Sequence, residues 1–200
     1  ADGPHSTVAS WVGVQNRHLL PGAQVTMELK TPLEYTEVYF RSDIFSGYGW
    51  LFPKNRVANV GLGLKKMPQT RDSVKTILMR FVDQLKQSGK ILGEPSAYAA
   101  GWIPAEPIRQ TVYGDIALVG DAAGHTHAIT GAGIFAAVLG GSMAGEAAAQ
   151  AVEENDRQCL MEYDGQWQDL MADTLQRAYD RRQYMEANWD DFQQTIQRCW

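Results

Sequence analysis

Asp121 is the residue around which chemistry can be built. It follows Ile116, Ala117, Leu118 and Val119, an apolar run that reads as a fully buried strand, and Gly120 cuts that strand off. A buried strand thus delivers a carboxylate to a turn. After the turn, Gly131, Ala132 and Gly133 leave little side chain in the way of a ligand, and the helix they open begins at about Ile134. A carboxylate accepts hydroxyl hydrogens, whereas bare amides at a helix N-terminus favour developing negative charge. The pair suits a polyhydroxylated chain joined to an electron-rich group. The competing reading is a plain structural turn, because Gly-rich strand-to-helix connections also serve packing.

A second set is Tyr48, Trp50 and Phe52. The period of two in a strand puts them on one face, an aromatic wall suited to a long apolar substrate. Spacing alone favours the simpler reading, in which three aromatics on one strand face are core. Other candidates carry less. His125 and His127 lack a third ligand for a metal and suit loop hydrogen bonding. Ser142 falls inside a helix and out of register for a nucleophile elbow. Gly131 to Ala136 formally satisfies a dinucleotide fingerprint, but no strand precedes it directly and only helix follows. A phosphate loop ending in Gly-Lys-Ser/Thr is absent, so nucleotide hydrolysis is unsupported.

These groups need elements to hold them. Val25 to Leu64 is strand-like and predicts three or four antiparallel strands, with Lys54, Asn55 and Arg56 as a hairpin turn. Thr70 to Lys90 carries Val74, Ile77, Leu78, Phe81, Val82 and Leu85 at helical spacing, a cap at Thr70 or Asp72 and a stop at Gly89. This helix would cover the sheet. From Gly101 a proline-containing extended segment leads through Tyr113 and Gly114 into the strand before Asp121, the organising strand of this region. Ala1 to Val12 reads as a turn followed by a short helix capped by Ser6 or Thr7. Beyond Asp156, Leu160, Tyr163, Trp167, Leu170, Leu175, Ala178, Met185, Trp189, Phe192 and Ile196 recur at helical spacing, in one long helix or a hairpin of two. That stripe packs on its own protein in the favoured reading; a dimer seam or a membrane-surface contact is the minority one.

Gly120, Asp121, Ala122, Ala123, Gly124, Gly131, Gly133 and Ile134 match in register a pattern of Gly-Asp-Ala-Ala-Gly, three residues, Pro, two residues, Gly-x-Gly-Ile. The string resembles the C-terminal flavin motif of the FAD-dependent monooxygenase and reductase superfamily of the hydroxybenzoate-hydroxylase type. Ala128 stands where that family usually has proline. Asp2, Gly3, Ser6 and Val8 similarly resemble the superfamily's second flavin motif, with Ala9 in place of its arginine. The run from Gly47 to Lys54, followed by Val60 to Gly63, resembles the Tyr-x-Trp-x-Phe-Pro signature of the geranylgeranyl reductase branch. The resemblance implies FAD as cofactor, contacted by Asp2, Gly3, Gly120, Asp121, Gly131, Ala132, Gly133 and Ile134. Asp121 would bind the ribityl chain, and the amides from Gly131 to Ile134 would face the pyrimidine end of the flavin. It also implies hydride transfer from reduced flavin to an isoprenoid carbon–carbon double bond, with Tyr48, Trp50 and Phe52 against an apolar or lipid substrate. No catalytic acid or base stands out. The alternatives are an aromatic hydroxylase of the same superfamily and a non-catalytic lipid- or partner-binding module on this scaffold.

The chain of 200 residues, with 44% apolar and 20% charged residues, can bury a sizeable core. A net charge of −5 argues against nucleic acid as a partner. The two cysteines, Cys159 and Cys199, suit the reduced thiols of a cytoplasmic protein, and peripheral membrane association is left open. An opening on Ala1 without methionine suggests a processed product or a portion of a longer chain, its partners an electron donor and a missing N-terminal FAD-binding half. The fold class expected is α+β, part of an α/β flavoprotein. Residues 1–16 would end the FAD-binding domain, 17–112 would form the substrate-binding antiparallel sheet, and 113–200 the flavin-contacting strand-turn-helix and C-terminal helices.

Overall fold

Alternating apolar residues from Val25 onward build an antiparallel sheet. The structure, a computed structural model, describes residues 2–66 and 72–200; Ala1, where the N-terminal turn was expected to open, and Thr70, expected as a cap, lie outside them. Strands β1 (Leu19–Leu29), β2 (Glu37–Tyr39), β3 (Tyr48–Lys54) and β4 (Val57–Gly63) join β5 (Ile91–Pro104) in the order β2-β3-β4-β1-β5. Lys54 faces Val57 across a two-residue turn in which Asn55 takes a left-handed conformation (φ 60°), as asparagine tolerates. The expected hairpin is therefore present.

One face of this sheet presents Val25, Met27, Leu51, Val60 and Leu62 to α2 (Val74–Gln87), which returns Ile77, Leu78, Phe81, Val82 and Leu85. Each such side chain contributes about 1.5–3 kcal/mol through burial. Gly49 makes the fit close, because a Cβ there would lie 2.9 Å from the Phe81 ring. Ser73 caps α2, its hydroxyl accepting from the Thr76 N–H, while Asp72 pairs with Arg80 at 2.8 Å. Asp72 is thus not the cap: serine sits one position closer to the first turn.

The chain divides into two compact units: a sheet unit of residues 20–102 with 185–200, and a turn unit of residues 1–19 with 103–184. In the turn unit, α1 (Thr7–Trp11) is capped by Ser6, whose hydroxyl accepts from the Ala9 N–H at 2.8 Å. The organising strand is shorter and less buried than its apolar run suggests. It is β7 (Ile116–Ala117), half-buried, which among the described residues pairs with β6 (Val112–Tyr113) alone. The ladder ends because Gly120 adopts φ 63° and turns the chain into a 3-10 turn, Gly120–Ala123. Leu118 is then held by its N–H to Thr111 O (2.7 Å) and its carbonyl to the Tyr163 hydroxyl (2.9 Å).

Helix α3 (Ile134–Glu153) starts where expected and packs Ala136 and Ala147 with Leu160, Tyr163 and Trp167 of α4 (Gln158–Trp167). From Gln158 the helix continues through a π-helical turn, Gln168–Ala172, into α5 (Asp173–Ala187), and α6 (Phe192–Cys199) follows. The apolar stripe beyond Asp156 is largely buried within the protein, as the favoured reading had it. Its first part, through Ala178, belongs to the turn unit, whereas Met185 and Trp189 belong to the sheet unit. Among the described residues no helix is long and apolar enough to cross a membrane.

Candidate functional site

The turn that carries Asp121 is fixed by its neighbours on both sides. The His125 N–H donates to Gly120 O at 3.0 Å, and the Gly120 N–H donates to His125 Nδ1 at 3.3 Å. His125 is only 1% exposed, and its ring stacks on Trp167 with centroids 3.6 Å apart. Burial pushes its pKa down to about 3, so the imidazole is neutral and Nδ1 is free to accept. Gly140 lets α3 lie against this pair; a Cβ there would fall 3.2 Å from Nδ1 and 3.3 Å from the Trp167 ring. The loop role expected for His125 is what it plays, and His127 likewise accepts the Thr130 N–H at Nδ1.

The Asp121 side chain is half-buried. Its Oδ1 accepts the Thr126 hydroxyl at 3.1 Å. Gly133 lies beside both: a Cβ on it would stand 3.1 Å from Thr126 Oγ1 and 3.5 Å from Asp121 Oδ1. Glycine is what allows the start of α3 to come this close. The loop amides are used unequally, with the Gly131 N–H bonded to His127 O (2.8 Å) and the Ala132 N–H to Thr130 Oγ1 (3.3 Å). By contrast, no side chain among the described residues caps α3 at Gly133, so the first amides of the helix are left uncapped. Ile134, Phe135 and Val138 are 86%, 73% and 68% exposed, an apolar opening turn presented to whatever lies against it.

Asp2 and Gly3 belong to the same unit. The Asp2 carboxylate accepts from the Thr7 and Val8 N–H groups at 2.8 and 3.2 Å and so braces α1, and Gly3 has φ 85° with open space where a Cβ would be. The residue that joins this turn to the Asp121 turn escaped the sequence reading. Asn16 Nδ2 donates to Pro4 O at 2.8 Å and to Asp121 O at 2.9 Å. Nothing in the polar stretch around Asn16 announces it, because the contact spans 105 positions of sequence. Beside α1 a polar cavity of about 320 Å³ is lined by His5, Ser6, Thr7, Ser10, Gln15 and Asn16 among others.

Tyr48, Trp50 and Phe52 lie in the sheet unit, and they are not in its core. Leu51 points into the packing with α2, so its neighbours in β3 occupy the opposite face and remain half-buried. Trp50 stacks on Phe52 (5.8 Å, 19°) and lies 5.7 Å from Tyr48, which in turn meets Trp200 at 5.0 Å. The Trp50 ring rests on Gly61, where a Cβ would come within 2.5 Å of it. Its indole Nε1 is buried without a hydrogen-bond partner among the described residues. Burial raises the pKa of the Tyr48 phenol.

Residues 21–95, which include this aromatic strand and the helix behind it, match the geranylgeranyl reductase catalytic domain. Over 96% of its length the chain is 33% identical to a digeranylgeranylglycerophospholipid reductase from Methanothrix thermoacetophila. The chain is thus similar to the geranylgeranyl reductase family, through its catalytic domain over residues 21–95 and through one half of a reductase over nearly its whole length. A second digeranylgeranylglycerophospholipid reductase of that name, from Methanospirillum hungatei, is 34% identical over the same share. The chain spans about half the length (50%) of these curated relatives. Among solved structures, a geranylgeranyl bacteriochlorophyll reductase-like protein from Thermoplasma acidophilum superposes with a TM-score of 0.82 at 25% identity, over 93% of this chain and 49% of that one. A probable FAD-dependent monooxygenase from Pseudomonas aeruginosa shares the fold, with a TM-score of 0.67 at 18% identity over 98% of this chain and 57% of that one.

Proposed function

We propose that this chain supplies the flavin-contacting turns and the substrate-side sheet of a FAD-dependent reductase acting on isoprenoid carbon–carbon double bonds. The observation that carries the reading is the joining of Asp2–Pro4 to Asp121 through the Asn16 amide, which gathers two separate flavin-like motifs into one unit. The residues present fit one end of FAD. Asp121 offers a carboxylate whose second oxygen has no hydrogen-bond partner among the described residues, suited to ribityl hydroxyls. Gly133 keeps the cradle free of a Cβ, and the uncapped amides at Gly133 and Ile134 suit the pyrimidine end, where electron density collects. The chemistry that bound, reduced FAD would supply here is a hydride for the double bond. The exposed apolar turn of Ile134, Phe135 and Val138 would exclude water only from a ligand laid against it, and Tyr48, Trp50 and Phe52 would line the path of a prenyl chain.

The pyrophosphate and adenosine end of the cofactor would fall to residues in the remaining half of the relatives' length, and reducing the bound flavin would call for an electron donor. The test is chemical. The intact protein, reduced with dithionite in the presence of FAD, is incubated with a digeranylgeranyl lipid, and the product is analysed by mass spectrometry. Addition of one hydrogen pair per double bond supports the reading. Substrate recovered unchanged, with flavin demonstrably bound and reduced, removes it.

A further inference from the structure

Ala128 occupies the place of the family's usual proline, and a buried arginine holds the loop there. The Ala128 carbonyl accepts the Arg182 Nε–H at 2.6 Å. Both residues are only 2% exposed. Burying a guanidinium is costly unless its donors are used, and a charge-assisted bond to a carbonyl is among the stronger neutral–ion contacts available to it. Arg182 has at least one further interaction besides this bond. The loop closes on itself through His127 N–H to Ala132 O (2.9 Å) and Gly131 N–H to His127 O (2.8 Å). Such a closed turn has a shape, and Ala128 O is where α5 fixes its place. Among the described residues, the Ala128 N–H enters none of the loop's backbone hydrogen bonds, so a proline would forfeit none of them.

We propose that Arg182 is a positioning residue for the flavin-contacting loop from His127 to Gly133, fixing through one hydrogen bond what a proline ring fixes through φ. Arg182 touches the loop and leaves the contacts with cofactor to the residues after it. The inference rests on the FAD reading above. Two readouts on the intact protein separate the two ideas. Without FAD, hydrogen exchange at the Gly131 and Ala132 amides reports the loop alone; with FAD, flavin fluorescence gives the dissociation constant and the visible band reports the ring's surroundings.

Arg182→Lys keeps charge and approximate volume but lacks the Nε donor of the guanidinium, and it serves if Arg182→Gln fails to fold. The expected result is faster exchange at both amides, FAD affinity lower by about tenfold, and a shifted visible band, with all three restored in the Ala128→Pro/Arg182→Lys double variant. Ala128→Pro alone should bind like wild type. Wild-type exchange in Arg182→Lys, or a double variant as defective as Arg182→Lys itself, overturns the assignment. A wild-type protein that binds no FAD contradicts the function proposed above, while the exchange measurement still decides the role of Arg182.

Discussion

Leu51 and Asp121 are held in place by different physics. Around Leu51 in the sheet unit, strands β1, β3 and β4 and helix α2 enclose a continuous apolar core, with Leu51, Val60, Leu78 and Phe81 fully inaccessible to solvent. Around Asp121 in the turn unit, position comes from single polar contacts: the His125 imidazole on the Gly120 N–H, the Asn16 amide on the Asp121 carbonyl and the Arg182 guanidinium on the Ala128 carbonyl. Packing spreads a load over many neighbours, whereas a hydrogen-bonded turn fails at one atom. Substitutions in the sheet unit should therefore cost stability in proportion to the volume removed. In the turn unit they should act through a particular donor, acceptor or charge.

The largest expected effect is Phe81→Ala, about 3–5 kcal/mol lost in denaturant unfolding, because Phe81 fills the space over Gly49 and meets Tyr39 edge to face at 5.0 Å. A loss below about 1 kcal/mol would mean that the core is not the frame of that unit. The adjacent pair Leu51 and Trp50 sharpens the contrast within one strand. Leu51→Ala should cost about 2–5 kcal/mol, and Trp50→Ala less, despite the larger side chain, since Trp50 is on the half-buried face. Prenyl-lipid binding should respond in the opposite order, and a melting temperature that falls further for Trp50→Ala would return the aromatic strand to the core.

In the turn unit the expected signature is acid sensitivity. His125 stays neutral in the folded state down to about pH 3, while in the unfolded chain it protonates near its ordinary value of 6.5. The unfolded state then binds the extra proton between those limits. Its contribution is intact above about pH 6.5, and stability falls by about 1.4 kcal/mol per pH unit as the pH drops below that. His125→Gln retains an acceptor for the Gly120 N–H and should flatten this slope; an unchanged slope would assign the acid sensitivity to other groups. The smallest effect expected is Ser73→Ala, about 1 kcal/mol from the lost cap of α2, measured as a shift of the thermal midpoint.

The sheet unit was the more legible of the two. Period-two patterning located β1, β3 and β4, and helical spacing located α2, because in both cases the repeating apolar residue is the one that gets buried. The exception is β5, where Leu92 to Trp102 is exposed along most of its length and rich in Ala, Gly and Pro, so no burial pattern marks it as a strand. Patterning also placed Tyr48, Trp50 and Phe52 on one face without telling which face meets the helix. That choice depends on Leu51 and Gly49, whose packing against α2 is tertiary. In the turn unit the motif residues could be named, but Asn16 and Arg182 could not, since each acts across 105 and 54 positions through a backbone carbonyl that accepts from any suitable donor. The short β7 was over-read for a related reason: apolar content signals burial, and the strand's length is set by the left-handed Gly120.

The central claim is that the Asp121 turn binds one end of FAD, and a titration of the intact protein with FAD, followed by flavin fluorescence in wild type and in Asp121→Ala, tests it directly. The wild-type protein should bind saturably and turn yellow. Asp121→Ala should bind about ten- to a hundredfold more weakly, the loss of a charge-assisted hydrogen bond amounting to about 1.5–3 kcal/mol, while the lost acceptor for the buried Thr126 hydroxyl lowers the thermal midpoint only modestly. Equal affinity in the two proteins, or a wild type that stays colourless with FAD supplied, would contradict the account.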